Sequence, residues 1–450
     1  MTIQRPEKAV SIALVASLSM AAVYLWARTR HRHRHGRQRS PPVCSAYEKL
    51  IGGTPMVKLD FLSQRIGRSI HVKMESMNPG GTGKDRAAQC MIQHAEATGQ
   101  LPSPMLGPNR NQSRFQYQDQ VTKDTLQEQA KTDDRSSVSA SSLLHLINVA
   151  MKRSPSGGLV IEGTSGSTGI SLATLCAARG HACLVVLPDD QAPEKKRILQ
   201  GLGATVRIVP TASISNPNHY VNVAKTLASM ARDQGIAAVF IDQFENLANF
   251  KVHYEQTGPE IFESCPELDA FCMSSGTGGT IAGVAKYLKE RKPSVRIVLV
   301  DPPGSALYHA VQHGIAYAPQ QQERALKRHR YDTIAEGIGL DRLTTNFSQG
   351  MVYMDESIRV SDQEAVDMAH YLLQTEGLWV GSSSAMNVVG AVRAARAYPP
   401  GSSVVTVICD AGQRHVARFW NKDFIADWGL IWPQDSGSLR VPECLQEVQS

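Results

Sequence analysis

Along most of the chain, short continuous apolar runs alternate with longer stretches of helical period. Runs at 70–74, 159–162, 183–187, 206–209 and 237–241 read as strands buried on both faces. Stretches at 85–98 and 169–178 read as helices between them. The rhythm repeats with strands at 270–273, 295–300 and 404–409 and helices at 281–290 and 362–376. Strands alternating with helices imply parallel sheets covered by helices, and two such blocks imply two sheets. The predicted class is α/β with two parallel-sheet lobes.

Two segments break this pattern. Residues 103–156 are rich in Gln, Ser, Asn, Asp and Arg without sustained periodicity, and read as a disordered surface insertion with one helix at 143–151. Residues 9–27 carry no charge over 19 positions, just long enough to span a bilayer core as a helix. Arg28, Arg30, Arg32, Arg34, Arg37 and Arg39 follow at once, interleaved with His31, His33 and His35. The positive-inside rule then predicts a single-pass N-terminal anchor with the body on the cytosolic side. A secretory signal would place its basic cluster first, and a matrix presequence would mix Arg with apolar residues. The mitochondrial outer membrane is the expected site, with the endoplasmic reticulum as the alternative. The His-Arg alternation offers no closed ligand set, so no metal is expected.

Charge supports this division. The chain is +6 overall, with 47 Lys+Arg and 41 Asp+Glu. Residues 1–39 hold eight basic residues and one acid, which leaves the rest at −1 and argues against nucleic acid as a partner. The eight cysteines form no CxxC pair and several sit in apolar runs, as small buried hydrophobes do.

Four strand-to-helix corners carry candidate chemistry. Asn78-Pro79-Gly80-Gly81-Thr82-Gly83 delivers Lys84 to a helix start, where the helix dipole and reduced solvation lower an amine's pKa. Glu162-Gly163-Thr164-Ser165-Gly166-Ser167-Thr168 offers hydroxyls and backbone N–H groups to a carboxylate, or simply an N-cap. Ser274-Ser275-Gly276-Thr277-Gly278-Gly279-Thr280 suits a phosphate but lacks the P-loop pattern of a nucleotide triphosphate site. Gly381-Ser382-Ser383-Ser384-Ala385 exposes a hydroxyl without matching the GxSxG nucleophile elbow. A lysine, an anion turn and a phosphate cup on one α/β chain suit a phosphate-bearing carbonyl cofactor, for which pyridoxal 5'-phosphate is the natural candidate.

In this order the motifs resemble the cysteine synthase and cystathionine β-synthase family of fold-type II pyridoxal-phosphate enzymes. The resemblance runs over about 45–430, with IGGTPMVKL at 51–59 similar to the family's IGNTPLVRL and NPGGTGKDR similar to NPGGSVKDR. It implies Lys84 as the Schiff-base lysine and Gly276, Thr277, Gly278, Gly279 and Thr280 as the phosphate cup. Ser383 would face the pyridine nitrogen, and Thr164, Ser165, Thr168 and Gln243 would hold the substrate carboxylate. Ser167 stands where the family has Asn, whose amide contacts the cofactor's phenolic oxygen. EGIG at 336–339 matches a segment near the site, and CDAGQRH at 409–415 is similar to a signature of a membrane-associated fungal branch.

The resemblance implies a smaller lobe over 84–250, a larger lobe over 45–83 and 251–430, a tail at 431–450 and a homodimer. It implies cysteine synthase activity, the β-replacement of O-acetyl-L-serine by sulfide. Alternatives are serine/threonine dehydratase, disfavoured by GKDRAA after the lysine motif, and cystathionine β-synthase, whose frequent regulatory domain has no room in the C-terminal stretch. A membrane-tethered scaffold without catalysis is the alternative outside enzymes.

Overall fold

The computed structural model describes residues 47–103, 140–154, 157–318, 333–433 and 439–446. Among them are ten strands in two sheets. Strands β1 (Met56–Lys58), β2 (Ser69–Met74), β7 (Ala270–Ser274), β8 (Arg296–Asp301), β9 (Glu356–Arg359) and β10 (Ser403–Ile408) form the larger sheet in the order β1-β2-β10-β7-β8-β9. Strands β3 (Leu159–Gly163), β4 (Ala182–Pro188), β5 (Thr205–Val209) and β6 (Ala238–Phe240) form the smaller one in the order β5-β4-β3-β6. All pairings are parallel except β1 with β2. That antiparallel edge strand was not anticipated, since three residues are too few to show a period.

The main helices are α1 (Lys84–Ala97), α2 (Ala140–Lys152), α3 (Ser167–Arg179), α4 (Pro193–Gly201), α5 (Tyr220–Asp233), α6 (Gly279–Arg291), α7 (Asp362–Thr375) and α8 (Ser382–Ala395). Every residue of β3, β4 and β7 is buried, which is why their sequences are continuous apolar runs rather than alternating ones. Successive side chains still point to opposite faces. Val160 and Val185 pack with Met91 and Ile92 of α1 and Leu172 of α3, while Leu159, Ile161 and Leu184 pack with α2 and α5. The larger sheet repeats this: Val298 and Val404 face α7 and α8, and Phe271, Ile297 and Val405 face α6.

The polar segment ends earlier than expected. Leu143, Leu146, Ile147 and Ala150 of α2 are buried in the smaller sheet's core, so this helix belongs to the fold. The tail is also partly built in, since Cys444 and Leu445 are buried in the larger sheet's core. The predicted span at 9–27 lies outside the described residues. No helix among the described residues is long and apolar enough to cross a membrane.

Strand direction positions the site. The carboxyl ends of β2, β3 and β7 lead into glycine- and hydroxyl-rich corners and that of β10 into the CDAGQRH segment, and in open α/β sheets ligands bind at those ends.

Candidate active site

The corner after β2 is held by its own polar side chains. Asn78 Nδ2 donates to Glu75 Oε2 at 2.9 Å, and the Gly80 N–H donates to Asp85 Oδ2 at 2.6 Å. Ser171 of α3 donates to Asp85 Oδ1 at 2.5 Å, which ties the corner to the neighbouring helix. Behind it, the fully buried Arg86 donates to Glu75 and to Glu260, at 2.8 and 2.7 Å. Lys84 is thereby fixed as the first residue of α1. Burial lowers its pKa, while the neighbouring Cys409 and Asp410 oppose that shift.

Lys84 lines a pocket together with Thr82, Ser167, Ser274 to Gly278, Thr280, Ser383, Cys409 and Asp410. The EGIG segment contributes Glu336, Gly337 and Ile338. Three of the four corners read from sequence therefore meet Lys84 in one cavity, although they are 83 to 299 residues apart from it along the chain.

The corner after β7 is a cradle in which glycine is obligatory. Gly278 has φ +90°, and a Cβ there would lie 2.5 Å from Cα of Phe347. A Cβ on Gly276 would lie 2.1 Å from the Gly337 carbonyl oxygen. Asn249 donates to Thr277 Oγ1 at 2.9 Å, and Thr280 Oγ1 pairs with His253 Nε2 at 3.1 Å. Gly279 is not part of the wall; it packs against Asn249 and opens α6. The first N–H groups of a helix lack intrahelical partners and sit at its positive end. Ser274 Oγ and Ser275 Oγ are buried in the pocket wall without a hydrogen-bond partner among the described residues. Two orphan hydroxyls, a glycine cradle and a helix N-terminus fit a phosphate group.

Ser383 lies in the first turn of α8 and hydrogen-bonds the Cys409 thiol, whose pKa burial pushes up to about 12. Burial thus disfavours the thiolate form of Cys409.

The remaining corner divides into two layers. Ser167 reaches the pocket wall, whereas Thr164, Thr168 and Gln243 are buried behind it. Thr168 Oγ1 donates to Gln243 Oε1 at 2.6 Å, and the Gly166 N–H donates to Thr164 Oγ1 at 3.3 Å. Ser165 stands at the bend, its carbonyl accepting from Lys195 Nζ at 3.3 Å. Gln243 follows Asp242, which holds φ 54° and donates its N–H to Glu162 Oε2 at 2.9 Å.

Charged neighbours of the site were not singled out from sequence. Glu336 accepts from Lys195 of α4 at 2.6 Å and lies 3.3 Å from Arg418 and 3.5 Å from His415. His415 is 3.1 Å from Asp410. Burial raises the Asp410 pKa, but His415, Arg414 and Lys195 together outweigh this and the net shift is downward; Glu336 is lowered in the same way by Lys195, His415 and Arg418. The EGIG and CDAGQRH strings were the available signals, but neither shows which partners they meet.

The chain matches a family model described as pyridoxal-phosphate dependent enzyme over residues 47–105 and 136–410. It is 43% identical to "Putative mitochondrial cysteine synthase" of Saccharomyces cerevisiae, over 83% of this chain and 84% of that protein. It is 40% identical to "Cysteine synthase 2" of Schizosaccharomyces pombe over 89% of each chain, and 41% identical to the Neurospora crassa protein of the same name over 85% and 74%. A crystal structure of O-ureido-L-serine synthase shares the fold, with TM-score 0.62 at 24% identity over 88% of this chain and 99% of that one. The family model, the relatives and the pocket that gathers Lys84 with a phosphate cradle agree, and the chain belongs to the pyridoxal-phosphate dependent enzymes.

Proposed function

We propose that this chain is a cysteine synthase that replaces the ester oxygen of O-acetyl-L-serine by sulfide, giving L-cysteine and acetate. The relatives named cysteine synthase support the reaction class. The observation that carries it is the single pocket in which Lys84 faces the 274–280 cradle and Ser383.

Pyridoxal phosphate, when bound, supplies an electron sink for the pair left at the substrate α-carbon. Ser274, Ser275, Gly276, Thr277, Gly278 and Thr280 would hold its phosphate, with Gly279 contributing through the helix start behind the wall, and Ser383 would face its pyridine nitrogen. Lys84 is suited to proton transfer because burial lowers its affinity for the proton. Its Nζ takes the α-proton as the Cβ–O bond breaks and acetate leaves. The Cβ–S bond then forms to sulfide, and Lys84 returns the proton to Cα. Thr164, Ser165, Thr168 and Gln243 bind the substrate carboxylate, the buried pair Thr168–Gln243 keeping the loop in shape.

The test uses the purified full chain in detergent with O-acetyl-L-serine, with and without sulfide. Cysteine and acetate in equal amounts support the assignment. Pyruvate released at a rate that sulfide does not change would overturn it in favour of a dehydratase.

The same reading makes residues 1–40 a mitochondrial outer-membrane anchor with the catalytic body in the cytosol. It is supported by the uncharged 9–27 stretch, the basic residues after it and the name of the yeast relative. Resistance to alkaline carbonate extraction, with the body cleaved by protease added to intact mitochondria, checks it. A homodimer is the expected assembly, measured by light scattering.

A further inference from the structure

The CDAGQRH segment places a cation behind the pocket wall. Arg414 Nη1 donates to Ser167 Oγ at 3.5 Å, and its Nη2 donates to the Gly80 carbonyl in the corner that delivers Lys84. Its guanidinium rests over Gly81, where an added Cβ would lie 3.4 Å from Nε. Its charge lowers the pKa of Asp85 and of Asp410, although among the described residues it makes no direct hydrogen bond to a carboxylate. The nearby Asp85 is already committed to the Gly80 N–H and the Ser171 hydroxyl.

A guanidinium can only donate hydrogen bonds. Ser167 Oγ is therefore an acceptor toward Arg414, and its own O–H proton is left to donate elsewhere. Ser167 lines the same cavity as Lys84. A hydroxyl that accepts from a cation is a stronger donor in turn, because the two bonds polarise each other.

We infer that Arg414 is a positioning residue that turns Ser167 into a charge-assisted donor for an oxyanion bound beside Lys84. The inference rests on the pocket being the pyridoxal-phosphate site. Two oxyanions of that site have the required chemistry. One is the ring phenolate, which adjoins the cofactor's carbonyl carbon and so comes close to any amine bonded there. The other is the carboxylate of the amino-acid substrate. A short serine would serve where the cation stands behind it.

The experiment uses the full-length enzyme with Arg414→Met, Arg414→Lys, Ser167→Ala and the Arg414→Met/Ser167→Ala double variant. Pyridoxal phosphate is titrated into apoprotein and followed by visible absorption. L-alanine, which has the carboxylate but no leaving group, is then titrated into the loaded protein. Loss of one charge-assisted bond weakens binding about tenfold. If the phenolate is the partner, Arg414→Met raises the cofactor Kd about tenfold and changes the ratio of its absorption bands, while alanine binding holds. If the carboxylate is the partner, alanine binding weakens about tenfold and the cofactor Kd holds. In either case Arg414→Lys recovers most of the loss, and the double variant is no worse than Ser167→Ala, because the two residues act in series.

Changes below twofold in both titrations for Arg414→Met would overturn the inference. So would effects of the two single variants that add fully. The lysine and alanine variants keep the test open should Arg414→Met fail to fold. A wild-type chain that takes up no cofactor would remove the pocket reading itself, and this inference with it.

Discussion

The Lys195 ammonium lies 2.6 Å from the Glu336 carboxylate and joins segments 141 residues apart. Lys195 belongs to a helix on the smaller sheet, and Glu336 lines the pocket. Lys195 also donates to the Ser165 carbonyl, so one side chain sets both the loop and the pocket wall. Lys195→Met leaves the largely buried Glu336 with Arg418 and His415 for compensation. The expected loss is about 1–3 kcal/mol, below that of a wholly uncompensated buried charge. A roughly tenfold rise in KM for O-acetyl-L-serine should accompany it, with a smaller change in kcat. Denaturant titration and steady-state kinetics measure the two.

The His415–Asp410 pair predicts a pH-dependent stability. Burial alone would lower the His415 pKa, but Asp410 and Glu336 outweigh it and raise it above 6.5. A raised folded-state pKa contributes stability that is complete below pH 6.5 and is lost as pH rises through the folded value. Thermal melts should therefore fall as pH rises above 6.5. His415→Asn should flatten that limb. An unchanged slope in the variant would show that another group controls it.

At acid pH Glu260 is one of the carboxylates that contribute. Burial opposes its ionisation, yet Arg86 and Lys73 hold its carboxyl down to about 2, from an ordinary 4.5. A depressed carboxylate contributes stability above pH 4.5 that is lost as pH falls towards 2. Arg86→Met should cost about 3–5 kcal/mol, because it strands the buried Glu75 and leaves Glu260 with Lys73 alone. Glu260→Gln should make the loss of stability towards pH 2 less steep, leaving the part due to Glu336 and Asp410. Urea titrations across this range check both.

Lys84→Ala should leave the fold intact and lower kcat by about 10²–10⁴, the usual contribution of a positioned proton-transfer group. The cofactor should remain bound through the cradle but no longer be trapped on the protein by borohydride. Mass spectrometry reads that loss directly.

Gly276→Ala tests the cradle. Its Cβ would sit 2.1 Å from the Gly337 carbonyl oxygen, so one of the two corners must move. Cofactor affinity should drop at least tenfold, with a stability loss of about 1–3 kcal/mol. Equilibrium dialysis against pyridoxal phosphate and a thermal melt separate the two effects.

The sequence alone carried the features that are local. A continuous apolar run followed by glycine and hydroxyl residues marks a buried strand turning into a helix start, and the corners at 78–84 and 274–280 could be read that way; at 381–384 the helix start was legible, but only an isolated bridge at Val380 precedes it, not a strand. Helix α2 was visible in the spacing of Leu143, Leu146, Ile147 and Ala150. Its polar neighbours hid the fact that it covers a sheet. Proximity of the corners was decided by tertiary structure alone. Inserting β10 between β2 and β7 brings Cys409 and Asp410 beside Lys84, and the pairings Ser167–Arg414 and Lys195–Glu336 follow from that order. Strand order is a property of the whole packed core, and a side chain's charged partner across 141 or 247 residues leaves no periodic trace in the chain.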